Sequence, residues 1–287
     1  MARFGIELEV ISKKSEQDIA TILNENGIDC YVESYNHTTR GHWKIVYDSS
    51  ITATSTHQYS FEIVSPPLEG QDGLDEAEKV ARILHENGCS ANVSCGFHVH
   101  VDASDLSKKE VANVVRGWMR NEWIIETLIP HSRRGDSFYC KNLVEDYVDY
   151  TRDYEKRQYD EIANREDSME ALIDFVNPVR GNRNDRYTKL NLVAYRRHQT
   201  IEFRYHSGTA HPEKVIKQIQ FCIAFVEYFS KKRIITVFNH ANHNSEYRKP
   251  LNKSTNDLLG KLTSMMDASE KSEFKSYWRN RQRTLAA

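Results

Sequence analysis

Charged and apolar residues alternate along several short segments of the chain, which is the pattern of a strand with one polar and one apolar face. The clearest segment is TIEFRYH at 200–206, where Glu202, Arg204 and His206 fall on one face and Ile, Phe and Tyr fall on the other. The same alternation recurs near the N-terminus and in FHVHVD at 97–102. We expect each apolar face to pack on a core, so that the polar faces meet either water or a functional site.

Apolar residues at helical spacing separate these strands. Helices are predicted over 15–26, 74–86, 107–129 and 212–229, with strands over 4–10, 29–32, 43–48, 59–64, 97–102, 190–195 and 200–205. Strands that come in runs and in hairpin-like pairs are typical of an α+β fold. We therefore predict a largely antiparallel sheet with helices packed on its apolar face.

The chain shows no internal repeat and no long Pro/Gly linker, which favours one catalytic domain over residues 1–287. The charged, Tyr-rich segment 143–175 is interpreted as a helical insertion. The part from residue 239 onward has no chemical motif and is interpreted as a helical C-terminal extension. Ser254 and Asp257 have the spacing to begin its final helices.

Composition narrows the functional classes. The chain has 287 residues, 39% hydrophobic, with 39 Lys+Arg against 41 Asp+Glu, so bulk charge gives no reason to expect nucleic-acid binding. The early carboxylate Glu7 interrupts any signal-peptide core, and the longest apolar stretch, 221–229, is too short to span a bilayer. None of the five cysteines forms a CxxC pair, which disfavours a structural zinc site. A cytoplasmic protein without a membrane partner is expected.

Several carboxylates and imidazoles are predicted to share the polar side of the sheet. Glu7 and Glu9 lie on one face of the first strand, and His98 and His100 lie on one face of a later strand. Such a surface repels itself unless something neutralises it, and a divalent cation is the usual solution. Oxygen ligands with a minority of imidazole favour Mg²⁺ or Mn²⁺ over Zn²⁺.

The HxH motif at 98–100 leaves other classes open. It occurs in zinc-dependent hydrolases, so a metal-dependent hydrolase is the main alternative, and an inactive nucleotide-binding module is another. Barrel hydrolases need regular strand–helix alternation and further His ligands, whereas the later strand here supplies Glu202 and Arg204. A guanidinium beside a metal ligand suits a phosphoryl group, although a simple Glu–Arg ion pair would have the same spacing.

A set of motifs, in order, resembles the putative amidoligase family, which is related to glutamine synthetase and γ-glutamylcysteine ligase. The motifs are FGIELE at 4–9, Trp43 with DSS at 48–50, EIVSPPL at 62–68, CGFHVHVD at 95–102, LNL at 190–192 and TIEFRYHSGT at 200–209. The resemblance implies ATP-dependent amide-bond formation on a glutamine synthetase-like curved, largely antiparallel sheet that holds ATP and Mg²⁺.

The resemblance also implies roles for individual residues. Glu7, His98 and Glu202 would hold one ion, Glu9 and Glu62 a second ion, and Arg204 the transferring γ-phosphate. Arg204, Glu202 and His98 are thus the predicted catalytic residues. Asp48 and His100 are predicted to bind substrate, and Asn191, His206, Arg133 and Arg134 to bind the nucleotide or its phosphates.

The implied reaction begins when a substrate carboxylate attacks ATP to give an acyl phosphate, and an amine then displaces phosphate. The expected partners are therefore a carboxylate substrate and an amine substrate, each a small molecule or a peptide.

Overall fold

The computed structural model describes residues 2–135, 137–143, 168–180, 183–184, 186–232 and 254–286. The chain divides into two compact units, a first unit of residues 1–102 and 203–223 and a second unit of residues 103–202 and 224–287. Most of the segment predicted as a helical insertion, and the start of the predicted C-terminal extension, lie outside the described residues. The assignment of a single catalytic domain stays a prediction.

Strands and helices alternate irregularly along the described chain. The strands are β1 Arg3–Ser12, β2 Cys30–Glu33, β3 Trp43–Val46, β4 Tyr59–Val64, β5 Leu68–Glu69, β6 Gly96–Asp102, β7 Val179–Arg180, β8 Arg183–Asn184, β9 Leu190–Asn191 and β10 Thr200–Ser207. The α-helices are α1 Glu16–Glu25, α2 Gly70–Glu86, α3 Lys108–Glu126, α4 Met169–Val176, α5 Tyr195–His198, α6 Pro212–Ser230, α7 Thr255–Leu262 and α8 Ala268–Ala286. A 3-10 turn covers His131–Arg133.

The first unit is built around an open sheet in the order β2-β3-β4-β1-β6-β10, with β10 contributing its residues from Phe203 onward. The long strand β1 pairs antiparallel with β4 on one side and with β6 on the other, and β3 pairs antiparallel with β4. The β2–β3 pair at the edge of this sheet is parallel. The prediction of an α+β fold with a largely antiparallel sheet is confirmed.

The strict alternation of β1 explains why the sheet has two different faces. Ile6, Leu8 and Val10 are buried on one side, while Glu7 and Glu9 point to the other. The apolar face belongs to a core that also contains the buried stripes of α1 and α2. Hydrophobic burial on this one side fixes the register of the sheet, because a slip by one residue would exchange the two faces.

The helix ends follow the sequence signals. Ser15 and Ser107 each form a capping box with the acidic residue three positions later, at the starts of α1 and α3. Gly27 follows α1 with a φ of 74°, in the left-handed region that glycine adopts at low cost. Among the described residues, no helix combines the length and the apolar character needed to cross a bilayer.

The second unit is mainly helical and packs around α3. The Trp118 ring of α3 lies 5.6 Å from the Phe225 ring of α6, and Asn113 Nδ2 donates to the Ser230 carbonyl. Near the C-terminus, α7 begins with the Ser254–Asp257 capping box as predicted. Arg281 of α8 then donates from Nε to the Leu128 carbonyl, which ties this helix back to the end of α3.

The predicted strand over 190–195 is much shorter in the structure. It ends at Asn191, and the chain turns into the short helix α5 before β10 begins. The side chain of Asn191 causes the turn, because its Oδ1 accepts a hydrogen bond from the Val193 amide at 2.8 Å. Gln199, with a φ of 55°, then leads into β10.

Gly208 should tolerate no side chain. Its amide donates to the Cys95 carbonyl at 2.8 Å, and a Cβ added there would overlap Cys95 Cβ and lie 3.0 Å from the Glu9 carbonyl oxygen. Because backbone atoms cannot move aside cheaply, we expect Gly208→Ala to lower the free energy of unfolding by about 1–3 kcal/mol. Denaturant unfolding measures this change. Gly41→Ala is the matched control, since its Cβ would meet nothing within 4 Å, and equal stability of the two variants would contradict the packing described.

Candidate metal centre

The polar face of the sheet gathers acidic and imidazole side chains from three neighbouring strands, β4, β1 and β6. The register pairs Glu9 with Glu62 and Glu7 with His98. Directly paired residues of antiparallel strands point to the same face. These four residues therefore project together, as the alternation in the sequence predicted.

His98 is hydrogen-bonded to Glu7, and both imidazoles lie close to carboxylates of β1. His98 Nδ1 lies 3.0 Å from Glu7 Oε2, and its Nε2 lies 3.6 Å from Glu9 Oε1, so one ring bridges both carboxylates of β1. His100 Nε2 approaches Glu7 Oε1 at 3.2 Å. The Gly96 amide donates to Glu9 Oε2 at 2.5 Å, which orients that carboxylate from the backbone of β6.

Glu7 is the most exposed of the four side chains that the register brings together. The side chains of His98 and Glu9 are 4% and 7% exposed, whereas that of Glu7 is 26% exposed. Glu62 is buried. A ligand from solvent would therefore reach the cluster beside Glu7.

The carboxylates influence one another strongly. Burial raises the pKa of the Glu62 carboxyl well above its usual value, and the charges of three nearby carboxylates add to the rise, while the charge of Arg204 opposes it. Those carboxylates belong to Glu7, Glu9 and Asp48.

Glu7 shows the opposite shift. Burial alone would raise its pKa, but the charges of His100 and His98 and the hydrogen bonds from both rings outweigh burial. The pKa of Glu7 therefore lies well below its usual value. The imidazoles thus compensate the charge of Glu7, whereas the raised pKa of Glu62 shows that its own charge would be poorly compensated.

Two groups of residues in the first unit have the geometry to hold a cation. In each group, one ligand atom from each of the three side chains lies within 4.8 Å of the others. The groups are Glu7, Glu62 and His98, and Glu9, Asp48 and Glu62. Glu62 belongs to both. Across the two groups, five ligands are carboxylate oxygens and one is an imidazole nitrogen, with Glu62 counted in each group. This donor set suits a hard cation such as Mg²⁺ or Mn²⁺.

Asp48 and His100, which were predicted to bind substrate, also lie beside this centre. Asp48 is grouped with Glu9 and Glu62, and His100 contacts Glu7. Their substrate roles stay predictions. Asp48 follows β3 in a turn where its Oδ1 accepts from the Ser50 amide at 2.7 Å. The motif DSS carried the turn signal, but the sequence could not show where the turn would place the carboxylate.

Two of the predicted residues of β10, Arg204 and Glu202, differ in their surroundings. Arg204 is partly exposed, and its charge acts on Glu62. Glu202 is buried and belongs to the second unit, where its Oε2 accepts a hydrogen bond from Asn191 Nδ2 at 2.6 Å. Asn191 thus orients Glu202. The assignment of Glu202 as a metal ligand stays a prediction, as does that of Asn191 as a nucleotide contact.

The remaining predicted residues are engaged within their own segments. His206 is buried, with Nδ1 donating to the Ser207 carbonyl at 2.7 Å and its ring edge-on to Phe97. Arg133 is buried with Nη1 3.7 Å from Cys140 Sγ, and Arg134 Nε donates to the Ile129 carbonyl. The structure explains how these side chains are held, and their nucleotide roles stay predictions.

Lys44 is a neighbour of the centre that the sequence analysis missed. It pairs with Val64 in the β3–β4 register, so its side chain shares the face of Glu62. Its buried ammonium donates to the Asn36 and Thr38 carbonyls at 3.1 and 2.9 Å, which anchors the β2–β3 loop beside the centre. Burial lowers the pKa of Lys44, although the negative charge of Glu33 opposes the change. The sequence signal that could have identified Lys44 is a single Lys at a polar-face position of the strand WKIV at 43–46.

Comparison with known proteins identifies a family for most of the chain. Residues 1–226 match the family described as putative amidoligase enzyme. No curated protein matches the chain. The matched span includes all the residues of the candidate metal centre.

Proposed function

The chain belongs to the putative amidoligase enzyme family, and from this premise we propose that it is an ATP- and Mg²⁺-dependent carboxylate–amine ligase. The family assignment itself indicates an amide-bond-forming enzyme. The observation that carries the finer proposal is the buried carboxylate–imidazole cluster of β4, β1 and β6. A sheet face that concentrates negative charge in this way is costly to fold unless a cation is bound there.

The proposal includes a glutamine synthetase-like sheet whose polar face is the catalytic face. Glu7, Glu62 and His98 would hold one ion, and Glu9, Asp48 and Glu62 would hold a second. Bound Mg²⁺ would neutralise phosphate oxygens and favour attack at phosphorus. Glu202 is retained as a predicted ligand because it lies two residues before Arg204 on β10.

The protein groups then have separate tasks. Arg204 would hold the phosphoryl group as charge spreads over its oxygens, since a guanidinium forms two parallel hydrogen bonds to phosphate. His98 and the Gly96 amide would keep the carboxylates Glu7 and Glu9 in place. The substrate carboxylate would attack the γ-phosphorus of ATP with ADP as the leaving group, which gives an acyl phosphate. The amine would then attack the acyl carbon and lose a proton, and phosphate would leave as the amide forms. The substrates are a carboxylic acid and an amine, as small molecules or as parts of a peptide.

One observation supports the alternative function, a metal-dependent hydrolase. His98 and His100, on the same strand, both contact Glu7. A metal-dependent hydrolase would use such a group without a nucleotide. Hydrolysis that proceeds equally well without ATP would favour it. ADP release that requires both a carboxylate and an amine would favour the ligase, and a screen of amino acids, polyamines and peptides for stimulated ADP release is the direct test.

We expect Mg²⁺ and ATP together to raise the melting temperature. Ligands that bind only the folded state stabilise it by about 2.7 kcal/mol at a concentration of 100 times Kd. A thermal shift titration measures this effect with ATP and Mg²⁺ together, with ATP and EDTA, and with Mg²⁺ alone. The full shift is expected only for the first condition.

Glu62→Gln and Glu69→Gln form the matched pair for this experiment. Glu62 belongs to both ligand groups, whereas Glu69 is exposed on β5 of the same unit. We expect Glu62→Gln to lose the shift and Glu69→Gln to keep it. An absence of any shift in the unsubstituted protein over a broad concentration range would remove the main support for the ligase.

A further inference from the structure

Three aromatic rings meet on the surface of the second unit, well outside the residues of the candidate metal centre. We call Phe138, Tyr139 and Tyr187 the aromatic platform. The Phe138 and Tyr139 rings lie 5.0 Å apart, the Tyr139 and Tyr187 rings 5.7 Å apart, and the Phe138 and Tyr187 rings 6.0 Å apart. Each ring therefore contacts the other two.

The platform stands on a fixed backbone. The Lys141 amide donates to the Tyr187 carbonyl at 2.8 Å, and the Lys189 amide donates to the Lys141 carbonyl at 2.9 Å. Directly beneath, Lys189 is buried with Nζ 3.2 Å from Glu126 Oε1, and Cys140 is buried as well. Two chain segments distant in sequence are thus joined where the rings emerge, so the rings are held in place by the fold.

The rings nevertheless project into solvent. Phe138 is 61% exposed and Tyr139 is 41% exposed. A single exposed aromatic residue needs no explanation, but a cluster of large rings on a fixed backbone marks an interaction surface. Covering these rings would remove apolar area from water, which favours a partner with flat apolar faces.

Positive charge surrounds the platform. The Arg186 guanidinium lies 5.3 Å from the centre of the Tyr187 ring, in cation–π geometry. Arg134, Lys141 and Arg186 are only partly buried, so their charges are felt at the surface. The chain as a whole has a net charge of only -2, so the positive charge of these three side chains is a local feature.

We propose that the aromatic platform binds single-stranded nucleic acid. Exposed rings beside Arg and Lys are the combination that stacks unpaired bases while neutralising their phosphates. An acidic peptide would satisfy the cations but leave the rings in water, and an apolar protein surface would cover the rings but strip water from the cations. A duplex keeps its base faces stacked internally. The inference goes beyond the proposed ligase activity and does not rest on it.

Fluorescence anisotropy tests the inference with the full chain and an end-labelled oligothymidylate, at about 50 mM and about 200 mM salt. We expect binding at the lower salt concentration that weakens at the higher one. The double variant Phe138→Ala/Tyr139→Ala should weaken binding about 10-fold or more, because stacking is worth about 1–3 kcal/mol per base. Tyr47→Ala is the matched control, since Tyr47 is 63% exposed on the first unit, and it should bind as the unsubstituted protein does.

Two further ligands separate bases from charge. An abasic oligonucleotide of the same length has the phosphates but lacks the bases. A polyglutamate peptide has negative charge but neither phosphates nor bases. We expect both to bind at least about 10-fold more weakly than oligothymidylate. The inference is overturned if oligothymidylate does not bind at the lower salt concentration, if the abasic strand or polyglutamate binds as tightly, or if the double variant and Tyr47→Ala behave alike. An absence of Mg²⁺-ATP binding would count only against the ligase, and a cooperative thermal unfolding transition like that of the unsubstituted protein would show that the double variant is folded.

Discussion

Phe203→Asp is expected to abolish cooperative folding. Phe203 is 0% exposed on the apolar face of β10, between the buried residues Ile201 and Tyr205. An aspartate there would place a carboxylate in a hydrocarbon core without a partner and would leave a cavity where the ring was. We expect a loss of about 4 kcal/mol or more, which is comparable to the whole stability of many domains. Thermal unfolding followed by circular dichroism measures the change.

Glu202→Gln is the control on the neighbouring position of the same strand. Glutamine has nearly the same size as glutamate, and its side-chain oxygen can still accept the hydrogen bond from Asn191 Nδ2. We expect this variant to stay folded and to lose ligase turnover. Together the two variants test which face of β10 packs in the core and which face belongs to the active site. A normal melting temperature for Phe203→Asp would reverse that assignment.

Arg204→Lys is expected to reduce turnover about 100-fold or more while changing ATP affinity much less. Lysine keeps the positive charge but loses the planar fork that forms two hydrogen bonds with a phosphoryl group. An interaction that strengthens as charge develops in the transition state affects kcat more than ground-state binding. Steady-state ADP release and the Mg²⁺-ATP thermal shift, measured on the same variant, separate the two quantities.

The competing explanation for Arg204 gives a different pair of results. If its only task were to balance the negative charge around Glu62, lysine would serve nearly as well, and turnover would stay close to that of the unsubstituted protein. Arg3→Lys is a matched control, because Arg3 forms an exposed ion pair with Asp102 on the same sheet. A near-normal rate for Arg204→Lys would remove Arg204 from the catalytic residues.

Much of the centre could be predicted because strand alternation is a local rule. FGIELE and FHVHVD each determine which residues share a face, and the buried apolar sides leave no freedom to exchange the faces. Alternation does not determine which strands are neighbours. That β1 lies between β4 and β6, and so brings Glu9 opposite Glu62, follows from pairings between segments far apart in sequence.

What the sequence failed to predict depends on loops and on single side chains. The turn after β3 brings Asp48 into the cluster. Lys44 anchors the β2–β3 loop because its ammonium donates to carbonyl groups of that loop. The short β9 and the helix α5 arise because the Asn191 side chain replaces a strand hydrogen bond with a local one. None of these contacts has a periodic signature in the sequence.

The central position of β1 has a consequence for the order of events during folding. His98, the partner of Glu7, follows it by 91 residues, and the Gly96 amide that orients Glu9 follows by 87. Contacts of such long sequence separation form late, because the intervening chain must first be ordered. During synthesis, β1 leaves the ribosome first and can pair with β6 only after β6 has been synthesised. A nascent chain that ends before residue 96 would therefore carry the carboxylates of Glu7 and Glu9 without the imidazole and the amide that hold them, so this part of the cluster would become ordered only after β1 and β6 have met.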